Sequence, residues 1–320
     1  MNKFNPRVYY RLGQSGSIFG MELMEQAGNY PFKVLSSDMS VVAGLDRFKK
    51  EYPDNFYNVG IAEQNLLGVA AGLDSEGFKT IAVAQACFIS MRSFEQVRQY
   101  LGYMGGKVMC VGINSGFSLT FFGNTHYAIE DMALMRSIPN MTVLSPADAG
   151  EAVKLFDAAL KVDGPVYLRL SGSLNTPIVY KEDYELKIGQ AITLKEGEDI
   201  AIFATGLMVS NALKAAELLL EKGITASVVD VHTIKPIDKD TILKNCGKNL
   251  LVSVEEHNVV GGLGTAIADV LSEQRNSAPL LKLGVQDHFM PVGDYNYLVE
   301  QAGLTPEQIA ASIENKLAAL

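Results

Sequence analysis

The chain has little cysteine, no excess of basic charge and no long apolar run. Its three cysteines, Cys87, Cys110 and Cys246, are odd in number and widely spaced, so they make neither a disulfide framework nor a metal site. Lys and Arg total 27 against 36 Asp and Glu, a net charge of -9. General nucleic-acid binders are basic, so that class is set aside. No uninterrupted apolar stretch reaches the roughly 18 residues a membrane helix needs. The opening segment, MNKFNPRVYYRLGQSG, has no apolar signal-peptide core. There is no fixed-period repeat and no low-complexity tract. The expectation is a soluble protein of a reducing cytoplasm, with neither nucleic acid nor membrane as partner.

What is present is ordinary globular composition: 320 residues, 48% hydrophobic and 20% charged, a length that suggests about two domains. Short β-branched runs at 33–36, 80–84, 107–113, 141–144 and 166–170 predict strands. Stretches 61–74, 90–103, 128–137 and 148–161 predict helices between them. After Arg169 the pattern breaks, and residues 171–185, rich in Ser, Pro, Asn and charge, read as a linker. A second series follows, with strands near 200–204, 225–231, 250–255 and 280–284 and helices near 208–221, 264–275 and 305–319. Alternation of this kind predicts an α/β protein, two doubly wound domains with helices on both faces of parallel sheets. The boundary falls around 175–188, giving units 1–178 and 188–320.

The most informative stretch is Asn58-Val-Gly-Ile-Ala-Glu-Gln-Asn-Leu-Leu-Gly-Val-Ala-Ala-Gly-Leu73. On a helix, Glu63 shares a face with Leu66, Leu67 and Ala70. Gly60, Gly68, Ala70, Ala71 and Gly72 make that helix smooth, so a ligand or backbone can approach closely. A carboxylate on such a face is desolvated, which raises its pKa, and it needs a partner. The alternative is that Glu63 sits at N3 and only caps the helix, where the helix dipole favours its charged form. Geometry alone leaves both open.

The segment FYNVGIAEQNLLGVAAGL resembles the one holding the essential glutamate of thiamine-diphosphate enzymes of the transketolase family, which includes 1-deoxyxylulose-5-phosphate synthase. The resemblance continues, in order, through GNTHYAIEDMALMRSIPNMTVLSPAD, GPVYLRL, ATGLMVSNALKAAELL, HTIKPID and VSVEEHNVVGGLGTA. It covers nearly the whole chain. It implies a pyrimidine-binding domain followed by a transketolase C-terminal domain, the layout of the C-terminal subunit of a split, two-subunit enzyme. It also implies thiamine diphosphate as cofactor. In that family the glutamate, here Glu63, donates a hydrogen bond to the pyrimidine N1′ and favours the imino tautomer that takes the thiazolium proton, so a dry, protonated carboxyl is useful.

Further residues follow from the same resemblance. Phe88, Met91 and Phe94, in CFISMRSF after a strand, lie where aromatic side chains enclose the pyrimidine; Met91 replaces a ring with a thioether. By periodicity alone they read as core. Asp38, in Ser-Ser-Asp, matches an acid near the cofactor interface; a solvated helix cap is its alternative. His126, in Gly123-Asn-Thr-His126-Tyr, matches the Thr-His pair that reaches the reacting oxygens and stabilises oxyanions. Unaided, it reads as a hydrogen-bonded loop histidine.

Departures from the family pattern point to an unusual acceptor, such as a deoxy sugar, a nucleotide-linked sugar or another carbonyl compound. Gly-Glu-Asp-Gly before the Thr-His has become Thr120-Phe121-Phe122-Gly123, and the usual Gln after it is Tyr127. A donor-contacting His corresponds to Asn114. The Arg that clamps a sugar phosphate corresponds to Gly172, with Arg169 nearby at a different offset. Glycine cannot replace a bidentate arginine, so the substrate pocket, with Phe122 and Asn114 beside His126, is expected to be more apolar. The Gly-Asp-Gly…Asn motif that holds Mg²⁺ and the diphosphate in the superfamily is missing; Gly293-Asp294-Tyr295 is the nearest match and is misplaced. The resemblance therefore implies that a separate N-terminal subunit holds the Mg²⁺, in an α2β2 heterotetramer.

Weaker signals remain. Gly261-Gly262-Leu-Gly264 opens a helix after a strand, as a dinucleotide loop does, but Ile267 stands at the third glycine position. Glu255, Glu256 and His257 lack a further ligand at metal spacing. His232 and His288 carry no signal. The expected activity is transfer of a two-carbon ketol unit from a ketose to an aldehyde or ketone. The rivals are a β-type E1 subunit of a 2-oxo-acid dehydrogenase and a non-catalytic scaffold subunit.

Overall fold

In a computed structural model, which describes residues 6–172 and 175–320, the chain forms two sheets flanked by helices. The strands are β1 Phe32–Ser36, β2 Phe56–Asn58, β3 Lys79–Gln85, β4 Met109–Ser115, β5 Thr142–Leu144, β6 Val166–Ser171, β7 Ile192–Lys195, β8 Ile200–Ala204, β9 Ala226–Asp230, β10 Thr233–Lys235, β11 Leu250–Asn258 and β12 Leu280–Val285. The first sheet has seven strands in the order β10-β5-β6-β4-β3-β1-β2, and the second has five, β12-β11-β8-β9-β7. The α/β class expected from the sequence holds. Buried β-branched and small residues fill the central strands: in β3, Ile81, Ala82, Val83 and Ala84 are all inaccessible to water, as sheets covered on both faces require.

Neither sheet is wholly parallel. β7 runs antiparallel along β9, and β10 runs antiparallel along β5. Thus three residues from the second half of the chain complete the edge of the first sheet. These short strands, with β2, were not visible in the sequence. The helix expected over 90–103 is broken into a π-helical turn Phe88–Arg92, a short helix Phe94–Gln96 and a second π-helical stretch Val97–Tyr103. Helices Phe19–Gln26, Asp46–Glu51, Lys239–Lys244 and Tyr295–Gln301 were also not foreseen.

Ser173 and Leu174 of the expected linker lie outside the described residues. The rest of 171–185 contains no helix and, past Ser171, no strand, yet it is pinned to both halves. Asp148 Oδ2 accepts from the backbone N–H of Val179 at 2.8 Å and of Tyr180 at 3.0 Å. The Tyr180 hydroxyl donates to Asp230 Oδ2, at the end of β9, at 2.6 Å. Asp230 faces Glu151 in the buried seam between the halves. Burial pushes the Asp230 carboxyl up to about 7 and Glu151 well above its usual range.

The apolar core is also continuous across the seam, joining Met132, Met135 and Val143 to Ile234, Leu263 and Ile267. Deeper still, Arg169 is buried in β6. Its Nε donates to Asp131 Oδ2 at 2.8 Å, and Nη2 donates to the carbonyls of Ala128 and Glu256, each at 3.0 Å. Glu256 belongs to β11, so the guanidinium bonds to both halves.

Both buried acids can be tested by substitution. Asp131→Asn strips a buried guanidinium of its counter-charge and should cost about 3–5 kcal/mol, measured by denaturant unfolding of the full chain. Asp230 has a folded pKa above its unfolded one, so its contribution is full below the ordinary carboxylate range, about 4, and is lost as pH rises through about 7. The thermal midpoint of Asp230→Asn should therefore fall less between pH 5 and 8 than the parent's.

Candidate active site

Parallel strands present their C-terminal ends along one edge of the first sheet, where α/β proteins place ligands. Asp38 follows β1, Glu63 follows β2, Phe88 follows β3, Asn114 sits in β4 and Gly172 follows β6. Glu63 opens the helix Glu63–Ser75. Its position is set by Ser37, whose hydroxyl donates to the Gly60 carbonyl at 3.0 Å and accepts from Ala62 N–H at 3.1 Å. Leu66, Leu67 and Ala70, on the face predicted from sequence, are buried with it.

Glu63 is 2% exposed, so the expected dry carboxyl is present. The capping alternative does not hold. Ala62 is the cap residue, Glu63 is the first residue of the helix rather than N3, and no side-chain cap bond is made. The partner that burial demanded is Arg92, whose Nη1 donates to Glu63 Oε2 at 2.7 Å. The same guanidinium lies 4.0 Å above the centroid of the Phe88 ring, within cation–π range. Phe88 in turn meets the His126 ring edge-on at 5.2 Å, and Phe122 lies 4.6 Å from His126 at a tilt of 33°. Glu63, Arg92, Phe88, His126 and Phe122 therefore form one continuous ladder.

Arg92 was missed by sequence reasoning. The signal was its place four residues after Phe88. The turn carrying both closes through a Ser93 N–H to Phe88 carbonyl bond at 3.3 Å. This wider i+5 turn, common at functional sites, carries its fifth residue, Arg92, back over its first, Phe88. The regular spacing assumed for Phe88, Met91 and Phe94 is altered accordingly. Phe94 is half-buried against the core, and Met91 is 39% exposed. Only Phe88 of the three joins the ladder.

Thr125 Oγ1 and His126 Nδ1 share a hydrogen bond of 2.9 Å. Tyr127 is buried and closes the loop beneath, its hydroxyl donating to the Thr120 carbonyl at 2.9 Å and the Pro291 carbonyl at 3.3 Å. Phe121 and Phe122 are solvent-exposed rings. Asp38 is not a helix cap. It sits in the left-handed region and pairs reciprocally with Asn58, Nδ2 donating to Asp38 Oδ1 at 3.1 Å. Asn114 also has a left-handed backbone; its N–H donates to Ser15 Oγ at 3.0 Å, and its buried Nδ2 has no partner among the described residues. Both share the strand-end edge but make these bonds away from the ladder.

Gly172 is required by the backbone itself. Its φ is +77°, and an added Cβ would come within 2.5 Å of Thr176 Cγ2. An arginine cannot stand there without rebuilding the loop, and Arg169 is committed to Asp131. A cleft of about 690 Å³ opens beside Gly172, between Phe121 and Lys214.

The weaker motifs resolve structurally. Glu255 accepts from Leu263 N–H at 2.6 Å and Gly264 N–H at 2.8 Å, filling the helix N-terminus where a dinucleotide phosphate would lie. Glu256 accepts from Phe117 N–H and the Tyr295 hydroxyl, each at 2.5 Å. Burial pushes His257 down to about 4. Among the described residues, no group of three or more His, Cys, Asp or Glu is placed to hold a metal, and no helix is long and apolar enough to cross a membrane.

Residues 20–176 match the transketolase pyrimidine-binding domain and 189–309 the transketolase C-terminal domain. The chain belongs to the transketolase family. It is 40% identical over 278 residues to a 6-deoxy-6-sulfo-D-fructose transketolase subunit, SqwH, of Clostridium sp. (strain MSTE9), covering 86% of this chain and 85% of that one. It is 37% identical to one subunit of the apulose-4-phosphate transketolase of Phocaeicola vulgatus, covering 83% and 85%. Among solved structures, a split-gene transketolase in an inactive β4 tetramer matches with a TM-score of 0.84 and 39% identity, covering 94% and 97%. A 1-deoxy-D-xylulose-5-phosphate synthase of Caldanaerobacter subterraneus also matches at 34% identity, over 92% of this chain and 48% of its own length.

Proposed function

We propose that this chain is the C-terminal subunit of a split, thiamine-diphosphate-dependent transketolase acting on ketoses other than the ordinary sugar phosphates. The observation that carries the reading is the ladder: a buried carboxyl and the face of an aromatic ring, bridged by one guanidinium, with a histidine at the ring's edge. Those residues fit an aminopyrimidine. Arg92 supports the fit, because a planar, nitrogen-bearing group already hydrogen-bonds Glu63 while it stacks on Phe88. The bound cofactor would supply the acidic carbon through which a C–C bond is cleaved and remade.

The chain's own residues then have distinct tasks. Glu63 would hydrogen-bond the pyrimidine nitrogen from a buried position. Phe88 would shield the ring, with Met91 on the same turn and Phe94 on the short helix that follows as its neighbours, and Asp38 would border the cofactor interface. His126 Nε2 is the nitrogen directed to substrate oxygens, since Nδ1 is engaged with Thr125. Phe122 and Asn114 shape the substrate end. In this reading the partner subunit supplies Mg²⁺ and the diphosphate grip, in a cytoplasmic α2β2 complex; the absence of a Gly-Asp-Gly segment here supports it. The substrate reading rests on Gly172, whose conformation leaves no place for the phosphate-clamping arginine. Two relatives that carry unusual ketoses in their names support the same reading.

In a coupled ketol-transfer assay, the chain mixed with its N-terminal subunit should be active, and the chain alone, given cofactor and Mg²⁺, inactive. Glu63→Gln in the mixed complex should lose at least about a hundredfold in turnover; an unchanged rate overturns the assignment. Ordinary pentose phosphates should be poor substrates for that complex, and turnover of them at full efficiency refutes the substrate reading.

A further inference from the structure

We infer that Arg92 competes with the cofactor's aminopyrimidine, closing the pocket until the ring displaces it. This rests on the function proposed above and adds a residue that sets how tightly the cofactor is held. Two contacts define the pocket, the Glu63 carboxyl and the Phe88 face. Arg92 uses both at once, at 2.7 Å and 4.0 Å. A flat ring cannot stack on the same face of Phe88 while the guanidinium lies there, nor can a ring nitrogen share Glu63 Oε2 with Nη1 without loosening that bond.

The rest of Arg92's surroundings suits a movable stopper. Its side chain is 45% exposed while that of Glu63 is 3% exposed, so the arginine can leave toward water and the acid cannot. Arg92 ends the π-helical turn, and its backbone is tied separately, through its carbonyl, to Gln64 Nε2 at 3.3 Å. The side chain can therefore swing without dragging Phe88 or the Glu63 helix. Pairing also answers the cost of a lone buried carboxylate before the ring arrives. An aminopyrimidine that accepts a hydrogen bond from the protonated acid relieves the same cost differently, so the two occupants are alternatives.

The test is equilibrium binding of thiamine diphosphate to the complete two-subunit complex with Mg²⁺, followed by calorimetry or quenching of protein fluorescence rather than by turnover. Arg92→Met keeps an apolar stem but removes the competing cation. It should bind roughly tenfold more tightly, the loss of an exposed cation–π contact together with a weak ion pair. Arg92→Lys, a smaller change that retains charge, should fall between. Damage to the fold weakens binding, so tighter binding separates competition from a structural role. Weaker binding by Arg92→Met, with its thermal midpoint unchanged, overturns the inference by making Arg92 a ligand of the ring. Equal affinity overturns it by making Arg92 a bystander. If the parent complex binds no cofactor at all, the proposed function itself fails, and the inference with it.

Discussion

One buried guanidinium holds this molecule's parts in register. Arg169 is buried, yet it carries a charge that the interior tolerates only because Asp131 neutralises it, two backbone carbonyls take the Nη2 hydrogens and Nη1 faces the Ser171 hydroxyl. Those partners are not arbitrary. Ala128 lies two residues past His126, Asp131 begins the helix that follows, and Glu256 belongs to the second sheet. The bonds that satisfy the charge thus fix the loop carrying His126 against both sheets. Glu256 extends the weld, its carboxyl taking Phe117 N–H on one side and the Tyr295 hydroxyl on the other.

On that frame, the candidate site is assembled from separate strand ends whose side chains meet only in three dimensions. Glu63 reaches it from β2, Phe88 and Arg92 from β3, and His126 from the loop beyond β4. Each step of the ladder uses a different force: a charge-assisted hydrogen bond, a cation over a ring, then edge and tilted contacts between rings. Such contacts are directional, so the acid and the histidine are held at a fixed separation by the ring between them. The exposed Phe121 and Phe122 lie at the outer end of this edge, and Gly172 borders the cleft between Phe121 and Lys214.

Local pattern made much of this legible. The alternating apolar runs marked the central strands, and the smooth face around Glu63 marked its burial and its neighbours Leu66, Leu67 and Ala70. Edge strands of three or four residues, β2, β7 and β10, carry too few positions to show a period. The π-helical turn hid Arg92, since its register departs from that of an ordinary helix. Arg169 could be seen near the missing phosphate grip but not its commitment to Asp131, because burial of an ion pair depends on tertiary neighbours. Gly172 was read as a departure from the family pattern; the backbone angle shows that the loop is shaped around it.

The β10 strand gives the molecule an unusual dependence on its own second half. By pairing with β5, residues 233–235 cover an edge that would otherwise offer bare backbone donors and acceptors to any passing strand. A gene break or protease cut at the Asn175–Glu185 crossing would therefore not release two self-sufficient modules. Separating the pieces would expose a sticky border on the larger one.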